Sequence, residues 1–319
     1  MLFSSPIDSE LAQVETCLRQ QIHSELSLLN QMTGHLANAG GKRLRPAFFL
    51  LAAKMFRSDL DELLPLASAI EMAHMATLIH DDLIDNSKLR RGVPTVKQAY
   101  GNRMSVYTGN YLFARSLNIA AAHTDEPVLN RLAQVSMQIC SGEFEQLRTA
   151  YNVEQTIASY MRRIRRKTAL LIALSCEMGG FLVGAPASAV KYLRKYGHYV
   201  GLAFQISDDI LDLAGEEKII GKPIGSDIRE GNFSLPVLYA LQNSAKKERL
   251  QVLLSDPQAC ERNIKEIIRI VYHAQGIEFA HYVAQRFAER ALSALDNLPA
   301  GEVRASLARI AQEIPRRRY

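Results

Sequence analysis

The 319-residue chain has no tryptophan, four scattered cysteines and no segment of sustained alternating hydrophobicity. It also lacks a clean apolar run of the roughly 20 residues that cross a bilayer. Each absence narrows the options. Cys17, Cys140, Cys176 and Cys260 form no Cys-x-x-Cys pair, which argues against a zinc framework or a disulfide scaffold and points to reduced thiols. Met1 to Glu10 carries acids but no basic segment followed by an apolar one, so no secretory signal is expected there. The most apolar stretch, Thr168 to Ala185, is interrupted by Glu177 and Gly179-Gly180. A cytoplasmic location is therefore expected. With no tryptophan and no aromatic residues interleaved among the basic ones, nucleic acid is not an expected partner. The net charge of +5 leaves an anionic small substrate, or at most peripheral lipid contact through Arg316-Arg317-Arg318.

What is present is helical periodicity from end to end. Helices are predicted over about 8–32, 46–57, 62–86, 95–101, 103–122, 127–149, 153–180, 188–214, 233–243, 247–255, 260–273, 276–297 and 301–312. Breaks fall at Gly40-Gly41, Arg91-Gly92-Val93-Pro94, Gly184-Ala185-Pro186, Gly221-Lys222-Pro223 and Leu298-Pro299, none with the composition of a flexible linker. The expectation is an all-α fold in a single domain, residues 1–319.

Two aspartate clusters with identical spacing stand out: Asp81-Asp82-Leu83-Ile84-Asp85 and Asp208-Asp209-Ile210-Leu211-Asp212, six of the chain's 13 aspartates. On a helix the third acid lies one turn beyond the first two, so each cluster gathers three carboxylates on one edge. Apolar residues precede and separate the acids, which places them at a core boundary, where mutual repulsion is least screened. Both helices are expected to stop soon afterwards, at Asn86-Ser87 and Ala214-Gly215, leaving the acids near the negative end of the helix dipole. Repulsion and dipole together call for a cation, and all-oxygen donors suit Mg²⁺, which shares its coordination sphere with waters and substrate phosphates. All six are candidate metal residues.

Basic residues on turns supply the complementary feature. Lys42, Arg43 and Arg45 lie in Gly40-Gly41-Lys42-Arg43-Leu44-Arg45-Pro46, and Arg90-Arg91 follows the first acidic cluster. Glycines let backbone approach an anion and arginine forks match phosphate oxygens. The third basic group, Arg162-Arg163-Ile164-Arg165-Arg166-Lys167-Thr168, spreads its charge around a helix, so most of it is expected to face solvent or a partner, with Lys167 and Thr168 the inward candidates.

These motifs resemble the trans-polyprenyl diphosphate synthase family nearly end to end: the Gly40–Pro46 loop, Glu71-Met72-Ala73-His74, the first aspartate cluster running into Arg90-Arg91-Gly92-Val93-Pro94-Thr95, Lys167-Thr168, and Phe204-Gln205-Ile206-Ser207-Asp208-Asp209 with Gly221-Lys222-Pro223 downstream. The resemblance implies an isoprenoid-synthase helical bundle around a deep central cavity. It implies that Asp81, Asp85 and Asp208 hold Mg²⁺ against an allylic diphosphate, supported by Asp82, Asp209 and Asp212. It assigns Lys42, Arg45, His74 and Arg91 to isopentenyl diphosphate, and Arg90, Lys167, Thr168, Gln205 and Lys222 to the allylic diphosphate or the developing cation, with Lys167, Thr168 and Gln205 the catalytic set. Ala76 and Thr77, just before the first cluster, would present a floor of small side chains and favour products longer than farnesyl.

One departure separates the chain from many homodimeric relatives, which carry a lysine where Gly231-Asn232-Phe233-Ser234-Leu235-Pro236 has Asn232. That loop, with the Arg162–Ala173 segment, is most similar to the catalytic large subunit (component II) of bacterial heptaprenyl diphosphate synthases. This implies a smaller, non-catalytic partner subunit, with a homodimer as the alternative. Competing readings are a short-chain synthase or terpene cyclase of the same fold, a catalytically silent binding subunit, and a di-iron bundle suggested by Glu71-x-x-His74 and Glu278-x-x-His281.

Overall fold

The computed structural model describes residues 6–215 and 224–316. Helices in the first part are α1 (Asp8–Gln21), α2 (Ser27–Asn38), α3 (Leu44–Lys54), α4 (Leu64–Ile84), α5 (Val96–Tyr100), α6 (Asn102–His123), α7 (Glu126–Thr149), α8 (Ile157–Ile164), α9 (Leu170–Leu182) and α10 (Ala187–Ala214). Numbering the described helices onward, α11 is Ser226–Arg229, α12 Leu235–Asn243, α13 Lys247–Leu254, α14 Pro257–Arg262, α15 Ile264–His273, α16 Gly276–Leu295 and α17 Glu302–Glu313. The fold is all-α, as the periodicity predicts.

Local features depart from the predicted pattern, among them the helix expected over 260–273, which is two, α14 and α15, separated at Asn263, and the short α11, which is not predicted. The helix expected over 8–32 is two helices, because the Asn30 amide bonds both the N–H and the C=O of Ser24, at 2.7 Å each, and so replaces the helical ladder there. After α4 a short antiparallel hairpin pairs β1 (Leu89–Arg90) with β2 (Val93–Pro94). Arg91 and Gly92 at its tip have φ of 53° and 79°, the double positive-φ arrangement of a tight two-residue turn. Between α8 and α9 the chain widens into one π-helical turn, Arg165–Ala169.

The chain forms two compact units: Met1–Ala133 with Ser175–Leu193 and Pro299–Ser306, and Gln134–Leu174 with Arg194–Leu298 and Leu307–Tyr319. In the first, Met72, Met75, Ala76 and Ile79 of α4 are buried with Leu18, Met32, Leu36, Leu112 and Ile119. This stripe fixes the rotation of α4 and leaves His74, Thr77, Asp81 and Asp85 half-buried along its other side. Among the described residues, Asp61–Ile84 is a helical stretch long and apolar enough to cross a bilayer by length and composition, but 67% of its apolar 18-residue window is buried, as in a core helix. In the second unit Leu202, Ile206, Ile210 and Leu213 of α10 pack with Phe233, Leu238, Leu250, Ile267 and Ala280. Gln205 and Asp208 are thereby turned to a half-buried side.

Candidate active site

The first unit carries one acidic cluster and the arginine group. α4 ends at Ile84, and Asp85 caps it with its N–H on the Asp81 carbonyl at 2.8 Å. Asp81 and Asp85 are half-buried; Asp82 points inward, 3% exposed, and accepts from Arg90 Nε at 3.0 Å and from its Nη2. The turn straight after α4 makes this pair possible: Asn86, with φ of 53°, and the Ser87 N–H on the Asp82 carbonyl at 3.0 Å reverse the chain, so that Arg90 on β1 returns to α4. Arg91 then lies against Gly41, where an added Cβ would sit 2.7 Å from its guanidinium. Gly41 is thus the close-approach position that joins the Gly40–Pro46 loop to the Arg90-Arg91 turn.

Arg43 has φ of 48° and is pinned by Glu15 at 2.8 Å and Glu71 at 3.0 Å, so it anchors the turn that carries exposed Lys42; Arg45, expected on that turn, is instead in the first turn of α3 and half-buried. Burial, and then the charges of Arg45, Arg91, Arg90 and Arg43, hold the His74 pKa well below the usual value. His74 is therefore neutral at physiological pH and offers a ring N–H among surrounding cations. Of the residues assigned to isopentenyl diphosphate, Arg45, Arg91 and His74 converge, the two arginines acting electrostatically on the ring. Glu71 is committed to Arg43, His74 lies among arginines, and Glu278 and His281 are exposed, which removes the di-iron reading. Ala76 is a core residue, while the Thr77 hydroxyl is spent on the His74 carbonyl at 2.8 Å.

In the second unit α10 meets the α8 segment along one line. A Cβ on Gly201 would fall 2.5 Å from the Ala169 Cα, so only glycine permits this approach. One turn on, Gln205 Oε1 accepts from Thr168 Oγ1 at 2.6 Å, and its Nε2 donates to Asp209 Oδ1 at 2.9 Å. One turn further, Asp209 Oδ2 accepts from the Tyr160 hydroxyl at 2.7 Å. Burial raises the Asp209 pKa to about 6 against these lowering hydrogen bonds, and burial followed by the Asp209 charge raises that of Tyr160. Lys167 reaches Glu143 at 3.5 Å and Gln146 at 3.4 Å.

Arg163, expected on a solvated face, is instead buried, donating to Gln155 at 3.0 Å and to the Phe233 carbonyl at 2.7 Å. Asp212 is likewise turned to protein donors, the Ser226 hydroxyl at 2.6 Å and the N–H groups of Ser226 and Asp227, and so caps α11. Asn232 bonds Glu230 at 3.5 Å and its N–H donates to the Asp227 carbonyl at 2.8 Å. Lys222 lies outside the described residues.

Of the six clustered aspartates, Asp82, Asp209 and Asp212 are engaged by protein donors, whereas Asp81, Asp85 and Asp208 are the half-buried ones. The donor set fits a hard divalent cation: carboxylate oxygens at helix ends, with His80 taken up by packing, since its ring occupies the space of a Cβ on Gly109. Among the described residues no three His, Cys, Asp or Glu side chains form a ready-made metal cage. Mg²⁺ that retains water and takes phosphate oxygens needs none. Spacing alone did not mark Tyr160 or Gly201 as part of this arrangement, although Gly201, Gln205 and Asp209 are four residues apart.

Comparison with known proteins agrees with this geometry. Across 98% of its length the chain is 44% identical to heptaprenyl diphosphate synthase component 2 of Geobacillus stearothermophilus, covering 97% of that protein. Its fold superposes with a TM-score of 0.93 on heptaprenyl diphosphate synthase from Staphylococcus aureus, at 34% identity, covering 98% of this chain and 99% of that one. The corresponding TM-score is 0.94, at 32% identity and with 98% and 96% covered, for a Caulobacter crescentus polyprenyl synthase complexed with calcium and isoprenyl diphosphate. The polyprenyl synthetase family profile matches residues 26–271, through both aspartate clusters and the arginine turns, and the chain belongs to that family, with its all-α isoprenoid-synthase fold.

Proposed function

We infer that the chain is a medium- to long-chain trans-polyprenyl diphosphate synthase, a prenyltransferase that adds isopentenyl diphosphate to an allylic diphosphate. Farnesyl diphosphate is the proposed starter, hexaprenyl or heptaprenyl diphosphate the product, and a quinone side chain its use. Mg²⁺ is the proposed metal and the cytoplasm the location, and residues 1–319 act as one catalytic domain. The observation that carries the reading is the pair of aspartate clusters, each with a half-buried part, Asp81 and Asp85 in the first and Asp208 in the second, beside buried acids that protein donors satisfy, Asp82 in the first and Asp209 and Asp212 in the second.

The chemistry uses these residue types directly. Breakage of the allylic C–O bond leaves its electron pair on the diphosphate, and the isopentenyl double bond attacks the resulting cation. The released diphosphate then takes the proton that restores an alkene. Bound Mg²⁺, held by Asp81, Asp85 and Asp208, would neutralise charge on the leaving group. Arg90, Lys167 and Lys222 add cationic contacts to that group. Arg45, Arg91 and Lys42 bind the isopentenyl diphosphate, with neutral His74 as a further donor. Thr168 and Gln205 offer oxygen dipoles to the cation and no strong nucleophile to trap it.

Product length is proposed to depend on Ala76 and Thr77. Ala76→Phe should shorten the product, as read by chromatography, at a packing cost of about 1–3 kcal/mol; an unchanged distribution removes the role. A smaller, non-catalytic subunit is the proposed partner, with a second copy of the chain as the alternative. The word "component" in the name of the Geobacillus relative supports a partner, as does the exposed row Met137, Phe144 and Leu147 on α7, where Phe144 is 75% exposed. The deciding assay supplies Mg²⁺, farnesyl diphosphate and isopentenyl diphosphate with and without a candidate small subunit, and sizes the product. Elongation is expected in the presence of the partner, and none in either mixture overturns the assignment.

A further inference from the structure

We propose that Tyr160 is a positioning residue for prenyl transfer, acting through Asp209 and Gln205 to decide which atoms of Thr168 face the reacting allyl group. The proposal rests on the activity inferred above and concerns four residues of one unit: Tyr160 on α8, Thr168 in the π turn, and Gln205 and Asp209 on α10.

The direction of each hydrogen bond is forced. Asp209 as a carboxylate only accepts, and its two oxygens take one bond each, from Tyr160 at 2.7 Å and from Gln205 Nε2 at 2.9 Å. A glutamine amide has two orientations of nearly equal shape, and the anion selects the one with nitrogen toward it. Gln205 Oε1 must then face Thr168, whose hydroxyl proton is spent on it at 2.6 Å. Only lone pairs of the Thr168 oxygen remain for anything else that approaches. With the amide turned over, its NH₂ would face Thr168 and the hydroxyl proton would be released outward, presenting the wrong end of the dipole to a cation.

Tyr160 is what keeps the selector in place. Its side chain is fully buried, and its single O–H is committed to the Asp209 oxygen that Gln205 does not use. Arg163 stacks over the ring with its guanidinium carbon 5.5 Å from the centroid, and is itself fixed to Gln155 and to the Phe233 carbonyl. The ring therefore has no freedom to follow a carboxylate that swings away. Removal of the hydroxyl alone frees one Asp209 oxygen to rotate, and the amide loses its reference. The hydrogen bonds in the series also polarise and strengthen one another.

Tyr160→Phe tests this, since it keeps the ring and removes only the donor. Turnover should fall about tenfold, the worth of roughly one hydrogen bond, while KM for both diphosphates stays within about twofold. In the metal-free protein the Gln205 side-chain amide resonances should shift in the same variant, a readout independent of activity. Unchanged turnover, a loss confined to KM, or an unmoved Gln205 amide would each overturn the proposal. Should Tyr160→Phe fail to fold, wild-type protein still decides: the Gln205 NH₂ should be strongly protected from hydrogen exchange, and exchange at the rate of a free glutamine refutes the arrangement. Absence of elongation by the wild-type enzyme with its partner would instead refute the activity, so the two failures are distinguishable.

Discussion

The two acidic clusters share one five-residue spacing but are supported in opposite ways. In the first, the buried middle acid Asp82 is matched by a full positive charge, Arg90, delivered by the hairpin that follows α4. In the second, the donors to the buried middle acid Asp209 among the described residues are neutral, Tyr160 and Gln205, and its pKa rises to about 6. The third acids differ too: Asp85 is a half-buried helix cap, and Asp212 is buried and caps α11. Repetition in sequence therefore does not mean repetition of role. The first cluster is held by charge pairing and the second by a directional series of neutral groups that ends in Thr168.

The largest expected effect probes what the clusters have in common. Asp81→Ala and Asp208→Ala should each lower turnover by about a thousandfold or more, because each removes a proposed Mg²⁺ ligand, whose metal would stabilise the leaving group. If either variant stays within tenfold of wild type in a Mg²⁺-saturated assay, the pairing of the clusters as metal holders breaks. Next in size is the contrast itself. Arg90→Ala leaves a buried carboxylate without its counter-charge and should cost about 3 kcal/mol in denaturant unfolding of the metal-free protein. A loss below about 1 kcal/mol would show that Asp82 has no need of that charge.

The second cluster carries a pH signature of comparable size. The Asp209 pKa of about 6 lies above the ordinary 3.8, so the folded state holds that proton more tightly than the unfolded chain does. This contribution to stability is full below about pH 4 and lost as pH rises to about 6, a change on the order of 3 kcal/mol. Metal-free wild type should lose stability over that window relative to Asp209→Asn, and a flat difference or one of opposite slope would contradict the assignment. The smallest effect belongs to His74. Because it is neutral, His74→Gln should change KM for isopentenyl diphosphate by less than about threefold, and a tenfold rise in steady-state assays would indicate a charged ring after all.

Much of this was legible in the residues themselves. The aspartate spacing identified the helix ends, and glycines identified the breaks at Gly40-Gly41 and Gly92, because those signals are local and chemically unusual. What stayed hidden depends on tertiary placement. Asn30 holds the connection between α1 and α2 through side-chain bonds to Ser24 that no glycine or proline announces. Arg163 reads as one of several solvated charges until the Phe233 carbonyl is known to lie beside it. Tyr160 is eight residues from Thr168 and 49 from Asp209, and its role appears only when α10 is laid against the π turn. The π turn is equally silent, since its sequence is that of an ordinary helix.

The contact at Gly201 carries a lesson for anyone redesigning this enzyme. A missing methyl group there sets how far apart two backbones stand, and that gap is what lets a glutamine reach a threonine one turn away. Any larger residue at 201 would work as a wedge, altering the chemistry from a distance without itself meeting a reactant. The site's dimensions are thus written partly in atoms the protein does not have.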